Sequence, residues 1–141
     1  MIDDGRVHEV VVPVKSDADL VAAREKGREL SAQLGFSSID LTLIVTAISE
    51  VARNILLYAD EGEIRLRLET DGGQSGIVIV ARDDGPGIPD LDMAMRDSYS
   101  TGNGLGLGLP GARRLMDEFE IRSEVSKGTT VVMKKWAPER V

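Results

Sequence analysis

Hydrophobic and polar positions alternate in some stretches of the chain and recur every three to four residues in others. HEVVVPV (8–14) is short and β-branched, which predicts a strand; Pro13 predicts that it lies at a sheet edge, since proline cannot donate to a neighbouring strand. From Ala18 to Leu34, Leu20, Val21, Leu30 and Leu34 fall at helical spacing, with Asp17 as a candidate cap and Gly35 as the terminator. SSIDLTLIVTAISEVARNILLYA (37–59) predicts a second helix of about five turns, capped by Ser37 or Ser38. It is apolar on nearly all sides, as a mostly buried helix should be.

EIRLRLET (63–70) alternates and predicts a half-buried strand, followed by a Gly72-Gly73 turn. GIVIVARDD (76–84) is a more continuous apolar run and predicts a more central strand, stopped by GPGIP. PDLDMAMRD (89–97) suggests a short helix and GARRLMDEFE (111–120) another, with Leu115, Met116 and Phe119 on one side. IRSEV (121–125) and TTVVMKKW (129–136) predict a closing strand pair joined by the turn SKGT. The order strand, helix, helix, two strands, helix, two strands predicts an α+β two-layer sandwich with a mostly antiparallel sheet. A chain of 141 residues without repeats or a low-complexity linker is expected to form one domain, 1–141.

Composition narrows the function classes. The formal net charge of −7 argues against a nucleic-acid partner, which usually meets a basic face. It does not exclude phosphate ligands, which backbone N–H groups and a metal ion can hold. The absence of cysteine removes disulfides and thiolate metal sites, and the single histidine, His8, removes a two-histidine zinc site within one chain. The polar start and the lack of an apolar run expected to span a bilayer predict a cytoplasmic protein with no membrane partner.

Three clusters carry candidate chemistry. Glu50 and Asn54 lie four residues apart, hence on one face of the second helix, and interrupt its apolar surface. They form either a solvent-facing stripe with Arg53 as an ion-pair neighbour, or the wall of a pocket. In the pocket, Asn54 offers a neutral oxygen to a hard cation such as Mg²⁺, and Glu50 a base for a hydroxyl. Asp83-Asp84-Gly85-Pro86-Gly87 ends the central strand. It is either an ordinary tight turn or a site where Asp83 accepts a hydrogen bond from an exocyclic amine, with glycines admitting a flat ring. STGNGLGLGLPG (100–111) contains a GxGxxG match, but no strand precedes it, so the dinucleotide motif does not apply. Glycine leading into a helix instead offers N–H groups to an anion, or forms a mobile loop.

The order E-x-x-x-N (50–54), D-x-G-x-G (83–87), G-x-G-L-G-L (102–107), Gly128-Thr129 resembles the GHKL, or Bergerat-fold, ATPase and kinase superfamily over nearly the whole chain. The resemblance implies a mixed, mostly antiparallel sheet with helices on one face. It implies Mg²⁺ at Asn54 and the adenine amine at Asp83, beside Gly85, Gly87 and Ile88. Gly102, Gly104, Leu105, Gly106, Leu107 and Gly108 would form the lid hinge and supply N–H groups to the ATP phosphates. Thr129 would lie near the adenine, Glu50 would be the catalytic base, and Arg53 or Arg96 would add positive charge.

Gyrase-like members need a following domain, for which no room is expected after Val141. Sensor histidine kinases need a phosphoaccepting histidine on a helical hairpin, and His8 falls on a predicted strand. ISEVARNILLYA (48–59), DDGPGIPD (83–90) and GLGLPGARRLMDEFEI (106–121) resemble the small RsbT-type switch kinases of stressosome signalling. That family implies Mg-ATP-dependent phosphorylation of a serine or threonine on a STAS-domain partner, which also sequesters the kinase. Its downstream effector is a PP2C-type phosphatase. An anti-sigma factor that phosphorylates its antagonist, and a nucleotide-gated interaction protein, are the alternatives.

Overall fold

The computed structural model describes residues 9–96 and 108–138. The elements run β1 (Glu9–Val14), α1 (Asp17–Ser31), α2 (Ser38–Tyr58), β2 (Gly62–Asp71), β3 (Gln74–Asp83), α3 (Leu91–Ala94), α4 (Gly108–Leu115), β4 (Glu118–Glu124) and β5 (Gly128–Trp136). The strands form one sheet of order β1-β2-β3-β5-β4, with β3 central and β1 at an edge as Pro13 requires. All four pairings are antiparallel, so the expected mixed sheet is antiparallel throughout the described residues.

Alternation along the strands sends one set of side chains to each face. Val14, Ile64, Leu66, Ile77, Ile79 and Met133 are fully buried on the inner face, and Ile44, Ile48 and Ile55 of α2 belong to the same core. Burying an aliphatic side chain of this size contributes about 1.5–3 kcal/mol. On α1, a methyl group added at Gly27 would lie 2.2 Å from Ile48 Cδ1, so the two helices meet closely there. The outer face carries ion pairs across strands, Arg65 to Glu9 and Lys134 to Glu69, and one within β2, Arg65 to Glu63.

Two local expectations change, and a third is narrowed to one of its alternatives. Ser16, not Asp17, caps α1, its Oγ accepting from the Asp19 N–H, and the helix gives way to a 3₁₀ turn at Ala32–Leu34 before Gly35 at φ +79°. Ser37 caps α2 by accepting from the Asp40 N–H. The helix expected over 111–120 runs instead over Gly108–Leu115, and Glu118–Glu120 belong to β4. Phe119, Ile121 and Ser123 alternate with exposed Glu118, Glu120, Arg122 and Glu124, a period of two that no helix satisfies. Pro110 is tolerated because it falls in the first turn of α4, where an N–H has no intrahelical acceptor. The helix stops where the buried Lys135 Nζ donates to the Leu115 carbonyl at 2.9 Å.

Helix α2 also corrects the expectation about spanning lengths: its 21 residues, with hydropathy 1.4, are long and apolar enough to cross a bilayer by length and composition alone. Asp40, Glu50 and Arg53 interrupt the run without lowering its average enough to exclude it. Ile44, Ala47, Ile48, Val51, Ala52 and Ile55 belong to the core just described, as in a core helix.

Candidate active site

Glu50 lies in the second half of α2 and is 7% exposed, so the expected solvent-facing stripe is not what forms. Burying a carboxylate requires compensation, and two donors supply it. Arg53 Nη1 donates to Oε1 at 2.8 Å, and the Gly108 N–H donates to Oε2 at 2.6 Å. The ion-pair neighbour anticipated for a surface stripe is therefore present, but on a buried carboxylate. The second donor heads α4, where Gly108 has φ +64° and the helix dipole favours a negative charge. Asn54, one turn on, is half-buried, and its amide makes no hydrogen bond among the described residues. The same α2 face thus holds a buried, satisfied carboxylate and a half-buried neutral amide with no protein partner among the described residues. No group of three or more carboxylate, histidine or cysteine side chains gathers for a metal among the described residues.

Asp83 ends β3 and is 7% exposed. Its Oδ1 accepts from the Gly85 N–H at 2.9 Å, and the Thr129 N–H donates to the same carboxylate. Burial pushes its pKa above the ordinary 3.8, helped by the adjacent Asp84 charge and opposed by the two N–H donors. Gly85 fits against the end of α2, where a Cβ would lie 2.5 Å from that of Ala59. Gly87, at φ +77°, fits against the β4–β5 turn, where a Cβ would lie 2.2 Å from the Glu124 carbonyl oxygen.

The turn itself is clasped by that hairpin. The Ile88 N–H donates to Ser123 Oγ at 2.8 Å, Ser123 Oγ lies 2.8 Å from Thr129 Oγ1, and the Ser126 N–H donates to the Pro86 carbonyl at 2.8 Å. Ser123 is absent from the residues singled out in the sequence. Its signal is strand alternation, which places it inward, opposite Thr129, once β4 begins at Glu118.

The structure therefore joins Asp83, Gly85, Gly87, Ile88 and Thr129 at one end of the sheet. It joins Glu50 and Arg53, with Asn54 one turn on, to Gly108 where α2 meets α4. Helix α2 links the two groups: at about 1.5 Å per residue, Glu50 lies about 13 Å along its axis from Ala59. Gly102, Gly104, Leu105, Gly106, Leu107 and His8 lie outside the described residues. Arg96 is exposed after α3 and meets neither group in any described hydrogen bond or ion pair.

With this geometry in place, the class follows. Residues 39–139 match the family of histidine kinase-, DNA gyrase B- and HSP90-like ATPases, and the chain belongs to it. Among curated relatives, the chain is 49% identical over 125 residues to the serine/threonine-protein kinase RsbT of Bacillus subtilis, covering 89% of this chain and 94% of RsbT. It is 33% identical over 111 residues to an anti-sigma F factor of Geobacillus stearothermophilus, covering 74% of this chain and 75% of the relative. Among solved structures, the RsbU and RsbW domains of a Mycobacterium tuberculosis protein superpose with a TM-score of 0.64 at 20% identity. That match covers 94% of this chain and 34% of the other, and the likeness supports the fold alone.

Proposed function

We propose that the chain is an ATP-dependent protein serine/threonine kinase of a partner-switching module. The observation that carries this is the pair on α2: Glu50 set against the N-terminus of α4, and Asn54 one turn on, its amide without a hydrogen-bond partner among the described residues. The 49% identity to a serine/threonine kinase across nearly all of both chains supports it.

Each group then has a task. Asp83 accepts the adenine amine, with Gly85, Gly87 and Ile88 flanking the ring and Thr129 beside it. The N–H groups leading into α4 meet the phosphates. Asn54 fits a hard cation, since a neutral oxygen plus phosphate oxygens and water suits Mg²⁺ better than an all-protein cage. The bound ion would neutralise phosphate charge. Glu50 orients the acceptor hydroxyl. Phosphoryl transfer asks mainly for such positioning and charge stabilisation. The acceptor is a serine or threonine of a STAS-domain protein, the released kinase acts on an effector of the PP2C-type phosphatase class, and the setting is the cytoplasm.

Incubation with labelled ATP, Mg²⁺ and a STAS-domain partner is expected to label the partner. Asn54→Ala should reduce labelling by about 100-fold or more, the scale of losing a transition-state contact. Nucleotide binding without transfer to any STAS partner would leave only a nucleotide-gated binding module. The similarity to anti-sigma F factors favours a second reading, in which the chain also holds a sigma factor. Direct capture of a sigma factor by the purified chain would support that reading, and its absence would count against it.

A further inference from the structure

We propose that Arg53 is a positioning residue that acts through Glu50, and not a ligand of the nucleotide. The inference rests on the kinase reading above and concerns how the base of that reaction is held.

Arg53 and Glu50 lie three residues apart on α2, so their side chains leave the helix on neighbouring lines. Arg53 Nη1 meets Oε1 at 2.8 Å, and the side chains are 42% and 7% exposed respectively. The guanidinium is thus the solvent-side partner of a buried carboxylate. The other oxygen, Oε2, is held at 2.6 Å by the Gly108 N–H. That N–H lies at a helix N-terminus, where a phosphate oxygen competes well for the same donor. A terminal phosphate arriving at Gly108 displaces Oε2 and leaves Arg53 as the remaining described anchor of the carboxylate. Glu50 then keeps its place with one oxygen fixed and the other free.

The freed Oε2 faces the chemistry. The acceptor hydroxyl oxygen forms a bond to the γ-phosphorus while the bond from that phosphorus to the bridging oxygen breaks. ADP departs with the electron pair, and the hydroxyl proton passes to Glu50 Oε2. An unanchored carboxylate would sample several rotamers, and misplacement by about 1 Å costs on the order of 100-fold in rate. Arginine suits the task because its charge persists at any physiological pH and its planar fork fixes direction.

Two measurements on the full chain test this. In kinase assays, Arg53→Ala is expected to lower kcat about 10- to 100-fold while the ATP dissociation constant stays within about twofold, and Arg53→Lys is expected to recover part of the loss. Weaker ATP binding with kcat unchanged would make Arg53 a nucleotide ligand and overturn the proposal. A loss of melting temperature that Arg53→Lys fails to restore would make it merely structural and overturn it too. The second measurement needs no turnover: the backbone amide resonance of Gly108 in nucleotide-free protein. Arg53→Ala should move it toward the position seen in Glu50→Gln, and Arg53→Lys should return it. An amide that ignores Arg53→Ala refutes the positioning role even if wild type is an active kinase. A responsive amide in a chain that transfers no phosphate upholds the clamp and refutes the kinase reading alone.

Discussion

Asp83 sets binding against stability at a single residue. A buried carboxylate with a raised pKa is a cost to the fold, and the sign follows from linkage. Below the ordinary value of 3.8 both folded and unfolded chains hold the proton, and Asp83 contributes nothing. As pH rises from there toward the raised folded value, the unfolded chain ionises first and stability is lost. Above the folded value the cost is constant. Asp83→Asn is therefore expected to be at least as stable as wild type at pH 7, with the advantage gone below about pH 4, as read from denaturant melts across pH. The same substitution should weaken ATP about 10- to 100-fold, since a hydrogen bond to a charged group is worth about 1.5–3 kcal/mol. A variant both less stable and unchanged in ATP affinity would make Asp83 a structural turn residue. Asp83 was legible in the sequence as a candidate because a carboxylate ended an apolar strand. Its burial, and the Thr129 N–H that helps hold it, depend on a strand that returns more than forty residues later, which no local pattern shows.

Among the elements, the β3–β5 pairing holds the site together, and Gly128 is the more tightly enclosed of its two glycines. Gly128 has φ +111°, and a Cβ there would lie 2.1 Å from the Asp83 carbonyl oxygen. Asp83 and Thr129 are register partners, so any shift of β5 carries both groups apart. Gly73 offers a control: its φ is +85°, but nothing lies within 4 Å of an added Cβ. Alanine at either position pays the left-handed strain of about 1–2 kcal/mol; only at position 128 does a backbone clash add to it. Gly128→Ala should therefore melt clearly lower than Gly73→Ala, and should also weaken ATP. Equal melting temperatures would mean that the sheet yields at this point without cost. The strand pair was legible from composition, yet the end of α4 was not. GARRLMDEFE has an amphipathic helical pattern as far as Met116 and an alternating one from Glu118, and local pattern alone favours continuing the helix. Lys135 decides the matter from β5, by donating to the last carbonyl of α4.

Across the whole molecule, the proposed nucleotide site draws on α2, β3, α4 and β5, while the outer sheet face is tied by ion pairs at its surface. These two features differ in what they contribute. Exposed ion pairs are worth about 0–1 kcal/mol each and weaken with salt. A ligand that binds only the folded chain stabilises it by about 2.7 kcal/mol at one hundred times its dissociation constant. For 141 residues the unfolding entropy near the melting point is about 0.3 kcal/mol per kelvin, so that ligand should raise the melting temperature by about 9 °C. Mg-ATP at that concentration is expected to produce such a shift in a thermal scan, and EDTA or Asn54→Ala should remove much of it. Raising salt without nucleotide should move the transition far less. A chain whose melting point ignores millimolar Mg-ATP has no nucleotide site joining these elements, and the kinase reading falls with it. A shift that survives both EDTA and Asn54→Ala keeps the nucleotide but takes the metal away from Asn54.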